Sequence, residues 1–214
     1  MTPKVLTAVL ALSLSASLVA QRVVVLRPTF EAPSRLNEWT LDGSGGWEIK
    51  DGMLVLSKAG VPAGPIRRPA GLAILKSEPL GKVTFEVDLR SEEPEDLLVR
   101  DVDLIVDWQS PTRFYYIHLA AKTDDVHNGI FLVNDADRKR LDTPTGVPQL
   151  KDKAWHHLKL ERDPASGRIA VSSDGAATPA LQTVDKTLLS GRVGFGSFDE
   201  TGQFKNVVVT GEVK

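Results

Sequence analysis

Past residue 20 the chain alternates between apolar and polar positions in short runs. In "KVTFEVDL", Val83, Phe85, Val87 and Leu89 point one way, and Lys82, Thr84, Glu86 and Asp88 point the other. "WHHLKLER", "RIAVSSD", "RVGFGSF" and "FKNVVVTG" behave in the same manner. A period of two belongs to a strand with one buried face. Gly, Pro, Asp and Asn interrupt the runs, and Asp51-Gly52 in "GWEIKDGMLVL" is a tight hairpin signal. About a dozen strands follow from this pattern, and no long run carries the i, i+3, i+4, i+7 spacing of a helix. Many short antiparallel strands bury their apolar faces only as two packed sheets or a closed barrel. The pattern therefore predicts an all-β fold, a two-sheet antiparallel β-sandwich, with residues 21–214 as a single domain. "SKAGVPAGPIRRPAG" is rich in Gly and Pro and reads as an excursion loop inside that domain, since neither flank is large enough to fold alone.

One hairpin concentrates polar chemistry. "DVDLIVDW" predicts a strand over Asp101–Trp108, followed by a turn at Gln109–Thr112 and a return strand over Arg113–Ala121. Matching the apolar faces sets Val102, Leu104, Val106 and Trp108 beside Tyr115, Ile117 and Leu119 in the core. The opposite face then gathers Asp103, Ile105 and Asp107 with Phe114, Tyr116 and His118. This register puts Asp103 across from His118 and Ile105 across from Tyr116. Cross-strand neighbours about 5 Å apart permit an Asp103–His118 hydrogen bond. Aromatic rings cover the apolar face of a sugar while Asp, Asn and His bond its hydroxyls. Tyr116 is the candidate platform, and His118, Asp103 and Asp107 are the hydroxyl partners. "KTDDVHNG" adds His127 and Asn128 as rim residues, and Arg138 in "DADRKRL" can meet a carboxylate or sulfate. Each has a plainer reading: His118 tied to Asp103 for structure, His127 capping a turn, Arg138 solvated.

Composition narrows the partners. The 214 residues carry a formal net charge of -2, which favours neither nucleic acid nor an anionic membrane surface. Cysteine is absent, so there is no disulfide, thiolate metal site or cysteine nucleophile. At the N-terminus, Lys4 precedes an apolar run from Val5 to Leu14 and small residues ending at Ala20. That order is a secretory signal peptide over residues 1–20. The run is too short for a comfortable transmembrane helix; an uncleaved anchor is the alternative. Cleavage after Ala20, or after Ser17, leaves an exported periplasmic or extracellular domain with no transmembrane span. The sequence leaves the oligomeric state open.

Three further stretches carry a resemblance. "WHHLKLERDPASGRIAVSSDG" (Trp155–Gly175) has a Trp-His opening, a Gly turn and a strand ending in Asp-Gly. "GRVGFGSFDETGQFKNVVVTG" (Gly191–Gly211) has a Gly-rich strand and loop before Phe-x-Asn-Val, and "GGWEIKDGMLVL" is an opening hairpin. Together they resemble the concanavalin A-like, laminin-G-like jelly-roll superfamily. Within it the chain is similar to exported bacterial domains grouped with 3-keto-disaccharide hydrolases and loosely labelled family 16 glycoside hydrolases. The resemblance implies a jelly roll, a carbohydrate setting and a glycan groove on the concave sheet face. It does not imply catalysis, because the superfamily also holds pure binding modules. "FEVDLRSEE" does not supply the family 16 motif either. Glu86 and Asp88 are spaced for it, but the next acid is Glu92. That residue lies roughly 20 Å from Glu86 along an extended strand, where a retaining pair needs about 5–5.5 Å.

The leading expectation is a carbohydrate-binding domain that uses Asp103, Asp107, Tyr116, His118, His127, Asn128 and Arg138. The second is an enzyme on the same face. A lyase would set His118 or Tyr116 as base, with Arg138 or Asn128 against a uronate carboxylate. A hydrolase would use Asp103 or Asp107 with His118 as acid and base. The third is a structural or protein-binding module of the cell envelope. His156 and His157, behind Trp155, read as sheet-surface residues. Nothing points to an organic cofactor. No helical His pair or His-x-His strand points to zinc. Resemblance to calcium-binding sandwiches leaves a structural calcium at Asp199 and Asn206 as the metal expectation.

Overall fold

The computed structural model describes residues 22–61 and 64–214; the signal peptide expected over 1–20 lies outside them. In chain order the strands are β1 (Val23–Leu26), β2 (Trp39–Asp42), β3 (Gly46–Lys50), β4 (Met53–Lys58) and β5 (Gly71–Leu75). They continue with β6 (Leu80–Ser91), β7 (Asp101–Ser110), β8 (Arg113–Ala120), β9 (Gly129–Asn134) and β10 (Lys139–Arg140). The last are β11 (His156–Asp163), β12 (Arg168–Ser173), β13 (Leu181–Val184), β14 (Arg192–Ser197) and β15 (Gly202–Val213). Short strands such as β2, β10 and β13 carry too few residues to show a period, which is why the pattern undercounts them. A 3₁₀ helix at Pro33–Glu38 begins on the proline, whose fixed φ suits a first helical position.

Two antiparallel sheets pack face to face. One runs β13-β12-β11-β6-β15-β4-β3, with β1 also paired to β15; the other runs β10-β9-β8-β7-β14-β5-β2. Val23 stands opposite Glu212, and the Val213 N–H donates to the Arg22 carbonyl at 2.8 Å. The inward positions fill one core, including Phe85, Leu89, Leu104, Tyr115, Ile117, Phe195 and Phe204. Phe195 of β14 stacks on Phe204 of β15 with centroids 4.2 Å apart, joining the two sheets through aromatic contact.

The hairpin β7–β8 forms in the expected register, with Asp103 opposite His118 and Ile105 opposite Tyr116. Val102, Leu104 and Val106 enter the core beside Tyr115, Ile117 and Leu119. The register breaks between Val106 and Ser110, where Asp107 takes a φ of 52°. A bulge of this kind exchanges the faces of the residues beyond it. Two expectations are corrected by it. Asp107 does not share the outer face with Asp103; its carboxylate lies 2.8 Å from Arg162 Nε, both fully buried. Trp108 leaves the core and packs on the outer face instead.

That outer face is not open. Leu72, Ile74, Ile105, Phe114, Tyr116, Phe131, Val133 and Phe198 form a second apolar cluster there. The later part of the excursion loop, residues 64–70, lies over it. Ile66 packs against the cluster, and buried Arg68 pairs with Asp42 at 2.9 Å. β14 presents Gly194 and Gly196 to this side, opposite Ile105 and Asp103. A Cβ on Gly194 would lie 2.3 Å from the Ala73 carbonyl and 2.8 Å from Ile74 Cδ1. The glycine gives Ile74 the room it occupies.

Candidate functional site

At one end of the covered face the chain leaves a cavity of about 140 Å³. Arg67, Asp101, His118, Arg138, Phe198 and Glu200 line it. Asp101 opens β7, two residues before Asp103 and on the same face. His118 nears the end of β8, and Phe198 and Glu200 belong to the turn between β14 and β15. The excursion loop and the turn after β9 supply the arginines. They are clipped together: the Arg67 N–H donates to Asp137 Oδ1 at 2.8 Å, and the Arg138 N–H donates to the Arg67 carbonyl at 3.1 Å.

His118 is buried, and its partner is Asp101 rather than the expected Asp103. Nε2 lies 2.5 Å from Asp101 Oδ2, and Nδ1 lies 2.9 Å from the Val126 carbonyl. Both ring nitrogens thus face acceptors. The ring meets both only when it carries two protons, or when Asp101 holds one. The other Asp101 oxygen accepts from Ser197 Oγ at 2.7 Å and from the Phe198 N–H at 3.3 Å. Burial opposes ionisation of Asp101, but His118 and these donors more than offset it and hold its pKa below the ordinary value.

The neighbouring carboxyls are pushed the other way. Asp103 is fully buried, and neither of its oxygens has a hydrogen-bond partner among the described residues. Burial first, then the Asp101 charge, raise its pKa well above the usual carboxylate range, and Arg138 offsets only part of this. Glu200 is raised to about 8 by burial and by the charges of Asp101 and Asp199. One carboxyl held down at Asp101 beside two pushed up at Asp103 and Glu200 is the physical consequence of crowding three such groups.

Other expected site residues fall out differently. Tyr116 is fully buried; its ring stacks on Phe131 at 5.0 Å, so it offers no free platform. Its hydroxyl meets Arg138 Nη1 at 3.4 Å, and burial pushes its pKa well above 10.0, which leaves it a poor base. Phe198, with its ring 5.3 Å from His118, is the aromatic at the cavity. His127 lines the cavity too, held by Asp124 at 2.7 Å, and burial lowers its pKa. Asn128 does not reach the rim. Its buried amide donates to Thr123 Oγ1 at 2.9 Å and to the Val147 carbonyl at 3.1 Å, pinning a loop. Asp199 lines the cavity, whereas Asn206 donates to Asp88 at 2.6 Å on the outer face of the other sheet. The calcium pair is therefore not brought together, and no cluster of three His, Asp or Glu suited to a metal occurs among the described residues.

Glu86 and Asp88 also face outward from the eight-stranded sheet, where Asp88 binds His157 at 2.7 Å. A larger hollow of about 560 Å³ lies between loops 142–149 and 173–182. Its charged lining group, Asp142, is already spent on Arg140 at 3.1 Å and on the Ile130 N–H, so the charged chemistry lies in the smaller cavity.

Sequence reasoning missed Asp101, Arg67, Phe198 and Glu200. Asp101 carries a usable signal: it shares strand parity with Asp103 and sits diagonally from His118. The other three come from loops, where no period announces which way a side chain points.

No protein-family model matches the chain, and no curated protein matches its sequence. Solved structures do match. The carbohydrate-binding module CBM66 from Bacillus subtilis aligns with a TM-score of 0.55 at 17% identity, covering 79% of this chain and 93% of that one. A Bacillus subtilis protein of unknown function with a galectin-like fold gives 0.60 at 15%, covering 88% and 96%. The acidic lectin of winged bean, complexed with methyl-α-D-galactose, gives 0.60 at 14%, covering 90% and 100%. By its architecture the chain is a lectin-like jelly-roll β-sandwich.

Proposed function

We propose that the chain is an exported carbohydrate-binding domain that holds one sugar residue, or the end of a glycan, in the cavity on the seven-stranded sheet. The observation that carries this reading is the lining itself. Two arginines, two histidines and three acids surround about 140 Å³ beside the Phe198 ring, a density of donors and acceptors suited to hydroxyl groups. Drug-sized ligands fill about 300–1,000 Å³, so this volume takes one ring rather than a polymer. Fold neighbours named as a carbohydrate-binding module and a lectin agree with the reading. The finer grouping with 3-keto-disaccharide hydrolases rests on sequence resemblance.

A glycan array with the mature protein tests it, paired with Val99→Trp. Val99 lines the cavity and is half-buried, so an indole there fills the space without removing a polar group. Retained folding with loss of glycan capture supports the site, and unchanged capture moves the site elsewhere. For export, the intact mass of the protein outside the cytoplasm should begin at Gln21 or Leu18; a membrane-held chain beginning at Met1 would sink that part.

A second reading has one observation in its favour. Asp101 and Glu200 share the cavity with pKa values shifted in opposite directions, the pattern of an acid–base pair. New reducing ends released from an array-positive glycan without new ultraviolet-absorbing double bonds, and lost in Glu200→Gln, would establish hydrolysis. Binding without release would leave the domain a gripping one.

A further inference from the structure

We infer that the cavity selects a negatively charged sugar residue, a uronate or a sulfate ester, gripped by the guanidinium groups of Arg67 and Arg138. This rests on the cavity being the glycan site.

The two arginines are set against aromatic rings, Arg138 half-buried and Arg67 open to solvent. Their backbones are bonded to each other, and their guanidinium carbons stand 5.2 Å and 4.6 Å from the Phe198 centroid. Arg138 is also 5.5 Å from the Phe131 centroid. A guanidinium packed against a ring still has its in-plane N–H donors to offer. Among the described residues neither group pairs with a carboxylate; Arg138 has only the long contact to Tyr116. The contrast lies within the same fold, where Arg68, Arg140 and Arg162 each hold an aspartate, namely Asp42, Asp142 and Asp107.

The acids nearby do not supply the missing partner. Asp101 is committed to His118, Ser197 and the Phe198 N–H. Asp103 makes no hydrogen bond to either guanidinium and burial favours its neutral form, while Glu200, raised to about 8, keeps its proton at neutral pH. Asp199 is exposed to solvent. Two unpaired forks facing a small cavity match the planar, bidentate geometry of a carboxylate, and equally two oxygens of a sulfate.

The test compares uronate-terminated, sulfated and neutral glycans on native protein and on Arg67→Met, Arg138→Met and Arg138→Lys. Lys159→Met, on the other sheet, serves as the charge-matched control, and thermal melts check folding. The expected result is that one acidic class binds about tenfold or more tightly than its neutral counterpart. Both Met variants should abolish that preference, Arg138→Lys should recover only part of it, added salt should reduce it, and the control should leave it unchanged. The uronate and sulfate arms tell which anion is read. Equal binding of acidic and neutral glycans, blocked by Val99→Trp, overturns the anion inference and leaves the glycan site standing. Acid preference that survives both Met variants overturns it as well. Silence of every glycan overturns both readings.

Discussion

The carboxylate of Asp107 sits against Arg162 because one backbone torsion, φ of 52°, turns it from the outer face to the inner one. The arginine it meets has no exposed side-chain surface, and it donates onward to the Asp185 carbonyl at 3.0 Å. Burial raises the Asp107 pKa to about 6 even with Arg162 beside it. Asp107→Asn keeps a residue that tolerates positive φ and strands the buried cation. Stability should fall by about 3–5 kcal/mol, the cost of breaking a buried pair from one side. Adding Arg162→Met should restore part of the loss in urea unfolding; equal midpoints for native and single variant would refute the account. Glu200 makes a pH prediction. The unfolded carboxyl ionises near 4.5, and the native one holds its proton to about 8. Between these values unfolding releases a proton, so rising pH erodes native stability. Glu200→Gln lacks this effect. Melts at pH 5 and pH 8 should show the variant gaining on native protein as pH rises, and a constant gap would contradict the raised pKa. At this scale the sequence was a partial guide: the Asp103–His118 register was legible, yet the ring reaches the diagonal carboxyl of Asp101, a choice of rotamer that strand parity does not encode.

Elements were more legible than their surroundings. Alternation in β6, β7, β8, β11 and β15 is long enough to name the buried face, and the structure buries those faces. The bulge at Asp107 was not legible, because an aspartate among alternating residues looks the same before and after a register break. The covering of the outer face was hidden for a different reason. Gly and Pro in the excursion loop mark irregular backbone without saying where it lies, so a second apolar cluster was read as a ligand face. β14 shows what that cluster demands. Gly194→Ala would push a methyl group into the Ala73 carbonyl and the Ile74 side chain. Overpacking of this kind costs about 1–3 kcal/mol or more, and the variant should melt clearly below native protein. A melt equal to native would mean that β5 can slide away from β14.

At the scale of the whole molecule the two sheets divide the work. The seven-stranded sheet carries the cavity, with its side chains fixed by loops that pack on strands rather than by strands alone. The eight-stranded sheet carries both ends of the described fold, with Val23 paired beside Glu212. The ends leave as neighbours at the far end of β15, the strand that begins just past Glu200. Anything hung from either end, whether a fused reporter, a bead or a second domain, therefore trails behind the molecule and leaves the cavity facing outward. Carried on a surface by its tail, this domain would point its opening at the surrounding solution.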